Sequence, residues 1–520
     1  GTNYIYGETV FYKITTSGGI SVTEVDESEF TAPTNANLAS VTVDGEPLVG
    51  LSTDKLNYTV GVADPLSMDI VAVAEEPEAT VEIAKNENTA TITVTAYDGQ
   101  TKKVYTITAY EKVESSVVNK NGADAIVTYV FDDGDKTTAT IVTETLAPKY
   151  DSLTGSFALI TKDLATLSTV EGVEGDGLLE YEFDENGDYV YTKKDANWEY
   201  WKTLLNKYDD SGFEGISHTH THAYIGENDN GGSFEYKNTS GTVFTSEVFP
   251  IGNVRKEYYA SNQILRALGE RALTMVGAGL TAGGAMIDYT DNYRELPQKS
   301  GAFIGKRSTY TYPTTPEVMV NNVSDFVDSV ENRFNVKSYM VQHYNASSTA
   351  PKDTNASNYS KDACLAAGVG YWTDYINKAV EMGGWAAFCF HNIKDDSNTE
   401  TKGHFVYQSQ ADAVFKHSDE LAKENKVWVA NFTDACLYMF ERSTAEVNAH
   451  IADNGNIVVS LDDKEDDEIF TMPLTVKVAL PEGKTGAKLG ETELVAFTEN
   501  ETVYVYVDIV PGNSATLTVE

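Results

Sequence analysis

The chain has 520 residues, 41% of them hydrophobic and 11% aromatic, which excludes a disordered polymer and supplies more apolar material than one packed core uses. Its 79 acidic and 38 basic residues leave a formal net charge of −41, so a phosphate backbone or an anionic lipid surface is repelled and nucleic acid is excluded as a partner. No apolar run reaches the roughly 18 residues that a membrane-spanning helix needs.

The acidity is spread along the chain rather than gathered into a tail, which suits an exported protein facing neutral polymers. We therefore expect a secreted or cell-surface monomer; the sequence opens at Gly1 with no export signal, which we read as already removed. The 31 Tyr against 5 Trp are a composition shared by carbohydrate-handling proteins and by Tyr-rich β-domains. Cys364, Cys389 and Cys436 stand in apolar settings with no close spacing, so they read as core thiols rather than a disulfide framework or zinc knuckle.

Residues 1–34 are β-like and are assigned to no particular domain. From 35 to 115 short alternating strands follow one another, "ASVTVDG", "NYTVGV", "DIVAVAEE", "TATITVTAYDG" and "KKVYTITAY", separated by Asp-Gly and Pro-containing turns. This predicts a small all-β sandwich, and its "LNYTV" and "KKVYTITA" strands resemble the cadherin-like module of secreted bacterial proteins. From 120 to 443 strands alternate with helical segments. "NVRKEYYASNQILRALGERA" has helical spacing after an Asn cap, "YWTDYINKAVEMGG" ends in glycines where a helix stops, and "LTMVGAG", "WAAFCFHNI" and "KVWVANFTD" read as the strands that follow helices. Such alternation predicts a parallel α/β sheet or barrel. Residues 444–520 return to strands, "GNIVVSLDD", "LTVKVAL" and "TVYVYVDI", and predict a C-terminal all-β sandwich.

In a parallel α/β fold, ligands meet the carboxyl ends of the strands, where the loops converge. "IVTYVF" is such a strand, and it delivers Asp132 and Asp133 side by side, with Gly134 free to turn behind them. The competing reading is a polar turn in which Asp135 or Thr137 caps the next helix. Downstream, "GISHTHTHAYIG" places three of the eight histidines, His218, His220 and His222, within five positions. On a helix, His218 and His222 share a face and His220 points elsewhere; on an extended chain all three share one; the helical version is the one we expect. Two imidazoles and one carboxylate hold a divalent cation with open positions for water and substrate. One aspartate is then a ligand, and the other is left to take a proton from the attacking water.

These residues resemble the polysaccharide deacetylases, or NodB-homology carbohydrate esterases. The family's T-F-D-D-G motif looks like "VFDDG", with Val130 in place of threonine, and its H-[ST]-x-x-H motif is matched by "HTHTH". Its last motif, an apolar strand ending in L-x-H, looks like "WAAFCFHNI", with Phe390 before His391. The resemblance implies a multidomain chain whose central α/β distorted (β/α) barrel is flanked by the two sandwiches. It also implies Asp132 as catalytic base, Asp133, His218 and His222 as metal ligands, and His391 as general acid; the alternative for His391 is a core imidazole at a strand end. Zinc leads among the metals, with cobalt, nickel and manganese admitted by the same donors.

The middle motifs depart from the family. Its R-x-P-Y segment belongs after the helix that ends near Glu270, where the chain reads "LTMVGAGLTAGG" with neither arginine nor proline. Arg294 in "YRELP" is either a displaced equivalent or a surface residue, and Asp288 and Asp291 in "DYTDNY" stand out of order. The activity implied is hydrolytic removal of acetyl groups from a carbohydrate, as N-acetyl amino sugar or O-acetyl polysaccharide such as xylan, with release of acetate. The rival is a non-catalytic glycan-binding or cell-surface protein that retains the barrel.

Overall fold

The computed structural model describes residues 2–6, 11–15, 21–25, 32–167, 191–194, 196–220, 222, 224–225, 232–237, 243–249, 258–277, 281–282, 285–286, 298, 301–310, 315–327, 330–341, 361–398 and 404–520. They fall into two compact units, one of residues 117–445 with 463–475, the other of the remainder.

The first unit is built on parallel strands, of which "AIVTYVF", "WAAFCF" and "VWVA" are nearly uninterrupted apolar runs, as expected of strands covered on both faces, while "EGIS" and "GKRSTY" carry polar residues inward. In chain order they are β1 (Ala125–Phe131), β2 (Ser156–Leu159), β3 (Glu214–Ser217), β4 (Thr274–Val276), β5 (Gly305–Tyr310), β6 (Val336–Met340), β7 (Trp385–Phe390) and β8 (Val427–Ala430). Strands β1 to β7 pair in sequence and β7 returns to β1, which closes a seven-stranded parallel barrel. The seam is short. On one edge β1 pairs with β7 from Ile126 to Phe131; on the other it pairs with β8 through Ala125–Thr128 and with β2 only at Val130 and Phe131. Gly155 lets β2 approach there, since a Cβ on it would lie 2.7 Å from the Tyr129 carbonyl oxygen.

Helices cover the barrel at Ala196–Tyr208, Ala260–Leu268, Lys361–Met382, Gln408–Lys423 and Phe432–Thr444. The second of these stops where Gly269 turns left-handed, and the third is followed by Gly383 in the same conformation. The start anticipated for the second at Asn253 lies outside the described residues. Phe131 packs on Phe157 and Phe390 with ring centroids 5.4 and 5.5 Å apart, and Tyr129 packs on Phe415 at 4.7 Å. Each buried ring contributes roughly 1.5–3 kcal/mol, and together they fix strand register beneath the site. Cys389 and Cys436 are buried free thiols, as expected; the side chain of Cys364 lies outside the described residues.

The second unit is largely antiparallel. Lys102–Val113 pairs with Thr89–Thr95 and, in parallel, with Asn57–Val62, around a core that includes Ile92, Val94, Tyr105 and Ile107. The same strand pairs with Glu446–Ile451 at Lys112 and Val113. Among the described residues, no helix is long and apolar enough to cross a membrane.

Candidate metal centre

Strand β1 continues one residue past Phe131, because the Asp132 amide donates to the Phe390 carbonyl at 2.7 Å. Asp133 and Gly134 then both take positive φ, at 67° and 62°. A left-handed aspartate is tolerated but strained, and the strain separates the neighbours: Asp132 is buried while the Asp133 side chain stays 43% exposed. Asp135 caps the short helix that follows, accepting from the Thr138 amide at 2.7 Å, so the capping role and the functional role fall on different residues.

Strand β3 carries the histidines. The His218 amide still pairs with the Leu159 carbonyl at 3.0 Å, after which Thr219 and His222 turn left-handed, with φ of 63° and 60°. The segment is therefore not helical, contrary to the expected geometry. His218 and His222 nonetheless meet, their rings 4.6 Å apart and nearly perpendicular. Both point Nε2 at one atom, Asp133 Oδ1, at 3.3 and 3.6 Å. His218 Nδ1 lies 3.3 Å from the Val276 carbonyl, which accepts only from an N–H, so the tautomer leaves Nε2 as the lone-pair donor. His220 turns away and its Nδ1 lies 2.9 Å from the Thr161 hydroxyl.

The ligand atoms of Asp133, His218 and His222 lie within 4.8 Å of one another, and two neutral imidazoles with one carboxylate suit a divalent cation. Burial opposes protonation of His218, but the Asp133 hydrogen bond and the Asp132 and Asp133 charges raise its pKa, so without a cation Nε2 carries a proton that metal binding displaces. Burial opposes ionisation of Asp133, but the His218 hydrogen bond and the neighbouring imidazoles hold its carboxyl well below the usual range. Burial and the His218 charge push His222 down to about 4, so its ring is neutral at physiological pH and able to ligate.

A second cluster, Asp132, Cys389 and His391, is equally close-set, but it already holds a positive charge. Arg307, wholly buried on β5, reaches Asp132 Oδ2 at 2.6 Å and Thr309 Oγ1 at 2.9 Å. Burial also pushes the Cys389 thiol well above its usual range, so no thiolate is present to bind metal. Burial opposes the Asp132 charge, yet Arg307 and the nearby imidazoles keep its pKa lowered. Among the described residues, Asp132 Oδ1 is buried without a hydrogen-bond partner.

His391 follows β7, with Nε2 4.0 Å from Asp132 Oδ2 and its ring 5.2 Å from that of His404. A general acid must carry a proton, but burial outweighs the pull of Asp132 and Asp133 on His391, and its pKa is lowered. Sequence reasoning missed Arg307 and His404. The only sequence signal for Arg307 was a lone arginine inside "GKRSTY". Arg294, Asp288 and Asp291 lie outside the described residues.

No protein-family model and no curated protein matches the chain. Among solved structures it is similar to a Mycobacterium smegmatis protein described as a polysaccharide deacetylase, at 11% identity and a TM-score of 0.31, over 63% of this chain and 94% of that one. It is also similar to a cyclomaltodextrinase, at 8% identity and a TM-score of 0.27, over 98% and 94%. Both likenesses are too slight to bear on activity, which is argued from the site alone.

Proposed function

We propose that the chain is a metal-dependent hydrolase that removes acetyl groups from a carbohydrate and releases acetate. The observation that carries this reading is the convergence, at one end of the barrel, of a two-histidine, one-carboxylate ligand set and a separate buried carboxylate with an unoccupied oxygen. A divalent cation held by Asp133, His218 and His222, zinc or else cobalt, nickel or manganese, supplies Lewis acidity toward a carbonyl and acidifies water.

The protein's own groups divide the proton work. Asp132 Oδ1 takes a proton from the attacking water while Arg307 holds Oδ2. The water oxygen bonds to the acetyl carbon, the bond from that carbon to the sugar nitrogen or oxygen breaks, and His391 in its protonated form gives the leaving atom a proton, so its lowered pKa makes turnover fall as pH rises. Substrate is an N-acetyl amino sugar or an O-acetyl polysaccharide such as xylan, since both present the same carbonyl. The same reading makes this an exported monomer, and makes the strands of 35–115 an accessory cadherin-like module. Acetate release from chitooligosaccharides and acetylated xylan, with and without chelator, tests it. Glycan binding with no acetate released under any metal supports the non-catalytic alternative instead.

A further inference from the structure

The Asp132 carboxylate receives hydrogen bonds on one oxygen only. Arg307 Nη2 reaches Oδ2 at 2.6 Å and the Cys389 sulfur lies 3.4 Å from that same atom, whereas Oδ1 is buried with no partner among the described residues. We propose that Cys389 is a positioning residue for the base: its S–H fills the second lone pair of Asp132 Oδ2, leaving Oδ1 as the one atom open to a proton. This rests on the proposed role of Asp132.

Strand geometry puts the thiol in place. Side chains alternate along β7, so Cys389 and His391 share one face while Phe388 and Phe390 pack in the aromatic core on the other. Cys389 is also the register partner of Val130, two residues before Asp132. The direction of the S–H follows from its neighbours. Arg307 Nη2 is shared between Asp132 Oδ2 and Thr309 Oγ1, so the guanidinium takes one lone pair of that carboxylate oxygen and leaves the other to the thiol. The other atom within reach, His391 Nδ1 at 3.8 Å, is farther than the carboxylate and carries no full charge, so the single thiol proton goes to Oδ2. Burial keeps that proton on sulfur. A carboxylate has lone pairs on both oxygens, and a base that can turn either one toward the water spends part of its time misaligned; two donors on Oδ2 remove that freedom.

The test compares Cys389→Ser, which keeps a donor, with Cys389→Val, which keeps bulk and loses it. Turnover and KM are measured on whichever acetylated glycan releases acetate, alongside metal content and far-ultraviolet circular dichroism. We expect Cys389→Ser to stay within about threefold of wild type and Cys389→Val to lose about tenfold in kcat with KM and metal content unchanged, the scale of one hydrogen bond to a charged group. If Cys389→Val does not fold, Cys389→Ala takes its place in the same comparison. Wild-type turnover in the donor-less variant, or an equal loss in the serine variant, overturns the inference. An Asp132→Asn control separates the two levels: an active Asp132→Asn protein overturns the proposed base and this role with it. An inactive one beside an unaffected Cys389→Val protein overturns the thiol's role alone.

Discussion

The Arg307 guanidinium and the Asp132 carboxylate meet at 2.6 Å with side chains 0% and 4% exposed. Such a contact responds unequally to mutation, because removing one partner leaves the other charge buried and alone. Arg307→Ala should lower stability by about 3–5 kcal/mol and abolish turnover. Arg307→Lys should fold, since it keeps the charge, yet lose roughly 10- to 100-fold in kcat, because the shorter lysine cannot bring its nitrogen to the Nη2 position that bonds Asp132 Oδ2 and Thr309 Oγ1 together. Urea unfolding and kcat check both, and an alanine variant as stable as wild type would show that the pair is dispensable.

Asp133, His218 and His222 should each be needed for metal. Their nitrogens converge on one carboxylate oxygen, so two survivors leave an incomplete shell and affinity falls steeply. Alanine at any of the three should give metal-free, inactive protein by elemental analysis. His220→Ala should keep its metal and instead lose about 1–3 kcal/mol of stability, since it removes a buried ring bonded to Thr161. Metal loss in the His220 variant contradicts the turn geometry.

His391→Ala should depend on the leaving group. An alkylamine must be protonated to depart, whereas a nitrophenolate departs without an acid. The variant should lose roughly 100- to 10,000-fold on an N-acetyl sugar and much less on a nitrophenyl acetate. Equal losses on both substrates remove His391 from the acid role.

Stability should fall as pH rises across neutrality. Glu441 is wholly buried, and burial, then Asp463 and the acids beyond it, push its carboxyl up to about 8 from its usual 4.5. Glu270 is pushed up to about 7, burial again first. Raised folded-state values mean that the native form prefers the proton, so this contribution is complete below about 4.5 and is lost as pH climbs through about 8. The slope is about 1.4 kcal/mol per pH unit for each titrating group. Glu441→Gln, neutral and isosteric, should flatten the dependence and gain stability on the alkaline side. An unchanged slope in urea unfolding at several pH values rules Glu441 out.

The site was legible where chemistry sits immediately beyond a strand. "VFDDG" and "HTHTH" each follow an apolar run, so the barrel rule that active groups gather at carboxyl ends places Asp132, Asp133, His218 and His222 without coordinates. The path between the two imidazoles was not legible, because left-handed backbone at Thr219 and His222 is a property of the packed turn, not of either residue type. Arg307 was hidden for a different reason. Its partner stands 175 positions away, and one arginine in a β-pattern looks the same whether it points into a barrel or into water. The same limit applies to Lys112 and His450: alternation shows that each lies in a strand, and only the folded sheet shows that they face one another.

The barrel seam has a kinetic meaning. β1 joins β2 through Val130 and Phe131 alone, the two residues just ahead of Asp132 and Asp133. A fluctuation that unzips those pairs leaves the rest of β1 held by β7 and β8, so it costs far less than global unfolding. It also displaces Asp132 and Asp133 together, the proposed base and one proposed ligand. Amide exchange at this seam should therefore run ahead of the strand core, and in mild denaturant inactivation should precede loss of secondary structure. Gly155 guards the seam, and a methyl group there should widen the gap between those two transitions by wedging it open.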